Sequence, residues 1–338
     1  MRRTFTYPHP FELECGEALP SLTIAYDTFG ERRGDNVVWV CHALTANSDV
    51  ADWWPGTVAE GRFLDPSRHF TVCANILGSP YGTTSPLSDN PSTGSPYYGT
   101  FPMVTTRDMA RAHLLLADHL GIESAEAVIG SSIGGFQAVE MALLRPGFAR
   151  RLVLIATAAA ATPWLRAFNE SQRMAIEADA SFGEPRPDAA MAGLAAARSI
   201  ALLSYRGGKA YNATQGETDG AERLGGYRAL SYQRYQGEKL CRRFNAYSYH
   251  LLTRALDAHD AGRGRGGLRA ALGRVAARTL TVAITSDLLF PPEEMAEMSG
   301  MIDGCRMEVI ESAFGHDGFL VEADKLNALV KPFIEGEE

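Results

Sequence analysis

The stretch Ala127-Val-Ile-Gly-Ser-Ser-Ile-Gly-Gly-Phe-Gln137 decides the fold of this 338-residue chain. Its apolar start is typical of a buried strand, and apolar residues recur at helical spacing from Ile133 until Pro146. Between the two patterns stands Gly130-Ser-Ser-Ile-Gly134, which matches the G-x-S-x-G turn that exposes a serine hydroxyl between a strand and a helix. The sequence therefore predicts that Ser132 is a nucleophile.

Apolar runs on both sides of this turn alternate with helical patterns, as a parallel sheet requires. Between 163 and 267 the strand signals vanish and helical patterns dominate. We therefore expect an α/β fold with a mostly parallel central sheet, formed by 1–162 and 268–338, and a helical lid inserted at 163–267. The other predicted strands are 22–30, 37–41, 69–77, 151–157, 279–285 and 306–311, and the predicted helices include 169–176, 189–203, 240–259 and 323–334.

Composition and charge exclude several classes of protein. The net charge of −8, with acidic and basic residues interspersed, argues against nucleic acid or an anionic membrane as a partner. No apolar run reaches membrane-spanning length and the first residues do not resemble a signal peptide, so we expect a cytoplasmic protein. The five cysteines are scattered without C-x-x-C spacing, which indicates neither a disulfide framework nor a metal site.

A nucleophilic serine needs a base to take its proton and an acid to orient that base. In the α/β-hydrolase plan the acid and the histidine follow the serine in that order, each just after a strand. Asp287 follows the predicted strand 279–285, and His316 follows the strand 306–311. The sequence thus predicts a Ser132, Asp287 and His316 triad on an α/β-hydrolase fold, with His42 and the other histidines in structural roles.

Six blocks along the chain carry a family resemblance. They are Cys41-His-Ala-Leu-Thr-Ala46, Leu77-Gly-Ser-Pro-Tyr-Gly-Thr-Thr84, Phe101-Pro-Met-Val-Thr-Thr-Arg-Asp108, Tyr232-Gln-Arg-Tyr-Gln-Gly-Glu-Lys239, Gly262-Arg-Gly-Arg-Gly-Gly267 and Gly315-His-Asp317. With these blocks the sequence resembles, over nearly its whole length, the homoserine O-acetyltransferase family. That family is the acyltransferase branch of the α/β-hydrolases, which makes O-acyl-homoserine for methionine synthesis.

The resemblance implies a ping-pong reaction with acetyl-CoA as co-substrate and no permanently bound cofactor. Ser132 would accept the acyl group and pass it to the hydroxyl of L-homoserine, with His316 as the base of both half-reactions. It also implies a homodimer that takes only small-molecule substrates. By the same resemblance, the backbone N–H groups of Leu44 and Ile133 form the oxyanion hole, and Arg228, Tyr235 and Asp317 bind substrate.

The sequence departs from the family pattern at four positions. Ser131 and Ile133 replace a glycine and a methionine at the turn, Pro80 stands where cysteine is common, and Met141 where tryptophan is usual. Three alternatives stay open: the same mechanism with succinyl-CoA or serine, an esterase that transfers its acyl group to water, and a catalytically idle relative. A dry site favours transfer, because an acyl-enzyme survives there until an alcohol arrives.

Overall fold

The computed structural model of the chain describes residues 2–220 and 224–337. Eight strands form one sheet: β1 Arg3–Tyr7, β2 Leu22–Phe29, β3 Val37–Cys41, β4 Phe70–Ala74, β5 Ala125–Ser131, β6 Ala149–Ile155, β7 Arg278–Ile284 and β8 Arg306–Ile310. Their order across the sheet is β1-β2-β4-β3-β5-β6-β7-β8. Neighbours from β4 to β8 along this order are parallel, whereas β2 is antiparallel to both β1 and β4. The predicted mostly parallel sheet is therefore confirmed.

Helices cover both faces of the sheet and fill the connection between β6 and β7. They are α1 Val50–Trp53, α2 Thr106–His119, α3 Ile133–Leu144, α4 Pro163–Glu177, α5 Met191–Tyr205, α6 Gly208–Gln215, α7 Arg228–Cys241, α8 Ala246–Asp257, α9 Leu268–Leu272, α10 Pro292–Ser299, α11 Gly318–Val321 and α12 Ala323–Glu335. Helix α2 begins at a capping box, in which Thr105 and Asp108 exchange side-chain and backbone hydrogen bonds. Two short hairpins pair Phe11–Glu12 with Ala18–Leu19 and Asp89–Asn90 with Ser95–Pro96.

The sheet separates two apolar clusters, because successive side chains of a strand point to opposite faces. In β3, Trp39 packs with residues of α2 and α3 on one face. Val38 and Val40 pack on the other face with Trp54 and the apolar side of α12. The central strands are therefore apolar on both sides, which is why they occur in the sequence as unbroken apolar runs.

The connection between β6 and β7 enters and leaves the core at one place. Ala160 and Asp260 form an isolated antiparallel bridge. The backbone N–H of Ala161 donates to His259 at 2.9 Å, and that of Ala261 donates to Ala159 at 2.9 Å. Between these two segments lie the helices α4 to α8. The division of the chain into a core and a lid stays a prediction, but the ends of the helical segment are joined directly.

The prediction of one continuous helix over 240–259 is wrong, because the structure interrupts it. The pattern at 240–259 indicated a single helix, whereas the structure ends α7 at Cys241 and begins α8 at Ala246. The break has a local cause, because the side chain of Asn245 accepts a hydrogen bond from the backbone N–H of Ser248 and so caps a new helix. The intervening residues, 242–245, form a tight turn between two helices.

A buried ion network fixes the segment that returns from the helices to the sheet. Glu140 of α3, which is almost inaccessible to solvent, pairs with Arg107 at 3.1 Å and with Arg265 at 2.7 Å. Glu14 pairs with Arg107 at 2.6 Å and with Arg263 at 2.8 Å. The glycine-rich block 262–267 therefore has a structural use, since its two arginines join the N-terminal segment, α2 and α3.

Candidate active site

The strand-to-helix turn holds Ser132 in a strained conformation at the end of β5. Its backbone has φ 56° and ψ −128°, a region that costs a residue other than glycine about 1–3 kcal/mol. The strain is maintained by neighbours, because the Ser132 carbonyl accepts hydrogen bonds from the Thr157 hydroxyl at 2.8 Å and the Gly135 N–H at 2.9 Å. The turn therefore presents the serine hydroxyl at the N-terminus of α3.

Asp287 and His316 meet just beyond the carboxyl ends of β7 and β8. The Nδ1–H of His316 donates to Oδ2 of Asp287 at 2.7 Å. The other oxygen, Oδ1, accepts from the backbone N–H groups of Leu289 at 2.8 Å and Phe290 at 3.1 Å. Because the carboxylate fixes the proton on Nδ1, the Nε2 of the ring is left to act as the base.

The electrostatic surroundings tune His316 for that role. Burial of the ring lowers its pKa, but the neighbouring carboxylates of Asp287 and then Asp317 outweigh burial, so the pKa of His316 lies above its usual 6.5. The neutral ring is the form that can accept a proton. A base with a raised pKa is stronger, and it is lost by protonation as the pH falls through that pKa.

Aromatic rings connect His316 to Ser132. The ring centroid of His316 lies 5.7 Å from that of Tyr205 and 5.3 Å from that of Phe290. Both of these residues also line an enclosed cavity that contains Ser132 and Leu44, with about 10 Å³ of free space. This space holds about one water molecule. Ser132 thus lines this cavity, and the His316–Asp287 pair adjoins it through the rings of Tyr205 and Phe290. The catalytic roles of the three residues stay predictions.

The loop 42–47, hereafter the oxyanion loop, carries Leu44 to this cavity. The ring of His42 holds the start of this loop. Its Nδ1–H donates to the Ala43 carbonyl at 2.8 Å, and its Nε2 accepts from the Ile76 N–H at 3.1 Å. Burial lowers the pKa of His42 to about 4, so the ring is neutral at pH 7. The second predicted oxyanion residue, Ile133, is the first residue of α3, where backbone N–H groups have no partner within the helix.

Three charged residues lie close to His316: Asp317 follows it in the chain, Arg198 is in α5, and Arg206 directly follows that helix. Arg206 forms an ion pair with Asp317 at 2.9 Å. The guanidinium carbon of Arg198 lies 5.5 Å from the ring centroid of Tyr205. Burial raises the pKa of the Asp317 carboxyl, and Arg206 and Arg198 both act to lower it. One anion therefore adjoins His316, and two cations lie close to that anion.

The structure does not bring Arg228 and Tyr235 to this cavity. Arg228 lies exposed at the start of α7, where its Nη1 donates to the Gly216 carbonyl at 3.1 Å. The Tyr235 side chain is 48% exposed. The same seven-residue spacing of arginine and tyrosine occurs in α5, at Arg198 and Tyr205. Spacing alone could not choose between the two helices, because the choice depends on which helix packs against His316.

Two departures from the family pattern are accommodated by the core. Ser131 is a buried residue of β5, and its hydroxyl has no hydrogen-bond partner among the described residues. Met141 is buried with its Sδ 3.7 Å from the Sγ of Cys41. Neither residue lines the cavity at Ser132.

Two further properties concern residues 2–220 and 224–337, the part of the chain that the structure describes. Over those ranges no helix has both the length and the apolar character needed to cross a membrane. No group of three or more histidine, cysteine, aspartate or glutamate side chains in the same ranges could hold a metal ion.

The comparisons with known proteins agree with the geometry. A model of the alpha/beta hydrolase fold matches residues 36–323. Esterase E22, a solved structure with 22% sequence identity, superposes with a TM-score of 0.89 over 99% of both chains. A strained serine after β5, an aspartate after β7 and a histidine after β8 complete the pattern. The fold and the site thus define an enzyme of the α/β-hydrolase class.

The relatives narrow this class further. A homoserine O-acetyltransferase from Cyclobacterium marinum is 44% identical over 323 residues, which cover 95% of this chain and 92% of the relative. The crystal structure of homoserine O-acetyltransferase from Bacillus anthracis, 24% identical, gives a TM-score of 0.90 over 99% of this chain and 97% of that chain. The chain belongs to the homoserine O-acetyltransferase family.

Proposed function

We propose that this protein transfers the acetyl group of acetyl-CoA to the hydroxyl of L-homoserine, a step of methionine biosynthesis, and that it acts as a cytoplasmic homodimer with 163–267 as its lid. The observation that carries the proposal is that Asp317, with Arg206 and Arg198 close to it, adjoins His316, whose ring lies against Tyr205 in the wall of the Ser132 cavity. An amino-acid acceptor needs an anion for its ammonium group and a cation for its carboxylate. A simple ester would need neither.

The first half-reaction forms an acyl-enzyme. Nε2 of His316 takes the proton of Ser132 as Oγ attacks the thioester carbonyl carbon. The negative charge that develops on the carbonyl oxygen is stabilised by the N–H groups of Leu44 and Ile133. Collapse of the tetrahedral intermediate breaks the carbon–sulfur bond, and the departing CoA thiolate receives the proton held by His316.

The second half-reaction repeats these steps with a different nucleophile. His316 removes the proton of the homoserine hydroxyl, whose oxygen attacks the acyl carbon. The same N–H groups bind the new oxyanion, and the proton on His316 returns to Ser132 as the ester bond to the enzyme breaks. O-acetyl-L-homoserine leaves and the free enzyme is restored.

We assign the acceptor's charged groups to residues near His316. Asp317 binds the ammonium group, and Arg198, which makes no hydrogen bond or ion pair among the described residues, binds the carboxylate. Arg206 stays with Asp317 and limits the cost of burying that carboxylate. These assignments replace Arg228 and Tyr235 of the family-based prediction.

The enclosed cavity favours transfer over hydrolysis. The space at Ser132 is enclosed and only about 10 Å³ in volume, so little room is left for water beside an acyl group on the serine. The acyl-enzyme then persists until the acceptor hydroxyl arrives.

The test measures CoA thiol release by the purified protein, with acetyl-CoA or succinyl-CoA, each offered homoserine, serine or no acceptor. We expect rapid release only with acetyl-CoA and homoserine, and a product with the mass of O-acetyl-homoserine. Ser132→Ala should lack this activity. Release without an acceptor would identify a hydrolase, and preference for succinyl-CoA or serine would refute the proposed substrates while keeping the mechanism.

The acceptor assignment predicts different effects for two arginines. Arg198→Met should raise KM for homoserine about 10- to 100-fold, the loss expected for a charge-assisted contact. KM for acetyl-CoA should change far less. Arg228→Met should leave KM for homoserine within about twofold, because that side chain is exposed and bonds to the Gly216 carbonyl, whereas Arg198 lies close to Tyr205 and Asp317. The larger effect in Arg228→Met would return the role to α7.

A further inference from the structure

We infer that Arg243 is a positioning residue that ties the helical segment 163–267 to the oxyanion loop and holds the oxyanion hole in its active geometry. The inference rests on the proposed function, because the position of this loop affects the rate only if Leu44 binds an oxyanion. Arg243 itself lies outside the Ser132 cavity, and its side chain bonds to Thr45 and Tyr81 rather than to a triad residue.

The turn between α7 and α8 fixes the backbone of Arg243. Its N–H and that of Phe244 both donate to the Leu240 carbonyl at 3.0 Å. The Phe244 side chain is buried, and its ring packs edge-on against Tyr81 with centroids 5.8 Å apart. The arginine is exposed, but it leaves from a backbone that is anchored on both sides.

The guanidinium group of Arg243 reaches the outer side of the oxyanion loop. Its Nη1 donates to the backbone carbonyl of Thr45 and to the hydroxyl oxygen of Tyr81. The Tyr81 hydroxyl in turn donates to the same Thr45 carbonyl at 3.4 Å. Two side chains from different parts of the chain therefore converge on the carbonyl one residue after Leu44.

The core holds the inner side of the same loop. The Ala43 carbonyl accepts from His42, as described above, and from the Ala46 N–H at 3.0 Å. The Ala43 carbonyl and the Leu44 N–H belong to one planar peptide unit, so fixing the carbonyl fixes the direction of the N–H. Arg243 completes this arrangement, because it restrains the Thr45 carbonyl that follows.

This arrangement explains why an exposed arginine affects the chemistry. An oxyanion donor helps only when it is already aimed at the position where charge develops. The Ala46 N–H bond holds the Thr45–Ala46 peptide unit from the inner side of the loop, and the bonds of Arg243 and Tyr81 to the Thr45 carbonyl hold the same unit from the outer side. The oxyanion hole is then fully assembled only when the α7–α8 turn is docked on the loop.

The experiment compares Arg243→Met and the milder Tyr81→Phe with Arg242→Met. Arg242 is a matched control, since it is the neighbouring exposed arginine and its side chain makes no hydrogen bond or ion pair among the described residues. Three quantities are measured for each: kcat and KM with acetyl-CoA and homoserine, the acylation rate with p-nitrophenyl acetate, and the inhibition constant of a boronic acid that forms a tetrahedral adduct on serine. Circular dichroism and Tm confirm that each variant is folded.

For Arg243→Met we expect kcat, the acylation rate and boronic acid affinity to fall together by about tenfold, with each KM within about twofold. Tyr81→Phe should show a smaller loss of the same kind, and Arg242→Met none. A higher KM for acetyl-CoA with an unchanged acylation rate would show instead that Arg243 binds the donor, and unchanged values throughout would refute the inference. If Ser132→Ala retained turnover, the proposed function would fail first.

Discussion

Asp287→Asn is expected to lower kcat/KM by about 10⁴-fold while leaving the fold intact. The carboxylate accepts the Nδ1 proton of His316 at 2.7 Å, so Nε2 is unprotonated and can act as a base. An asparagine held by the same backbone N–H groups of Leu289 and Phe290 would keep its oxygen there and turn its NH₂ toward Nδ1. That arrangement favours the opposite tautomer, in which Nε2 carries the proton and cannot accept another.

The pH profile separates this effect from a general loss of structure. In the wild type, kcat/KM should fall as the pH decreases through the raised pKa of His316, because protonation removes the base. Asp287→Asn removes the strongest contribution that raises this pKa, while burial continues to lower it. The acid limb of the residual activity should therefore move to lower pH. A limb that stays in place would show that another group, not His316, is the titrating base.

Gly134→Ala is expected to prevent folding or to reduce stability by at least about 3 kcal/mol. A Cβ at this position would lie 2.0 Å from the backbone carbonyl oxygen of Cys41. That oxygen belongs to β3, the central strand beside β5, and a backbone atom of a central strand cannot move without displacing its neighbours. Helix α3 would be pushed away from the sheet and the turn at Ser132 would open. Soluble yield, Tm and the acylation rate should all fall.

Gly208→Ala provides the matched control for this substitution. Gly208 is the first residue of α6, and a Cβ built there meets nothing within 4 Å. We expect an unchanged or slightly higher Tm, since alanine favours a helix over glycine by about 1 kcal/mol. If Gly134→Ala were equally harmless, β3 and α3 would have to separate more easily than their contact indicates.

The sequence was sufficient for the parts of the site that depend on order along the chain. The triad residues each follow a strand, and the carboxyl ends of parallel strands lie at one edge of a sheet, so Ser132, Asp287 and His316 could be placed together without coordinates. The strand-to-helix turn at Ser132 could also be predicted, because its glycines and its change of periodicity are local features of the sequence.

The parts that depend on packing between distant segments could not be predicted. Arg198 with Tyr205 and Arg228 with Tyr235 have the same spacing, and only the packing of α5 against His316 distinguishes them. Strand β1 was missed because an alternating edge strand at the end of a chain is identified mainly by its partner. The contact of Arg243 with the oxyanion loop joins residues that are far apart in sequence, and no local pattern marks it.

The direct bridge between Ala160 and Asp260 allows the helical segment between them to vary in length during evolution. Since the two ends of the helical segment are already joined, its length is not constrained by a gap that it must span. The entropy needed to close a loop also rises only slowly with its length. Helices between these ends can be lengthened, shortened or exchanged while the sheet and the triad stay in place. The bridge thus keeps the attachment of the helical segment constant, so that the substrate can change through changes in this segment alone.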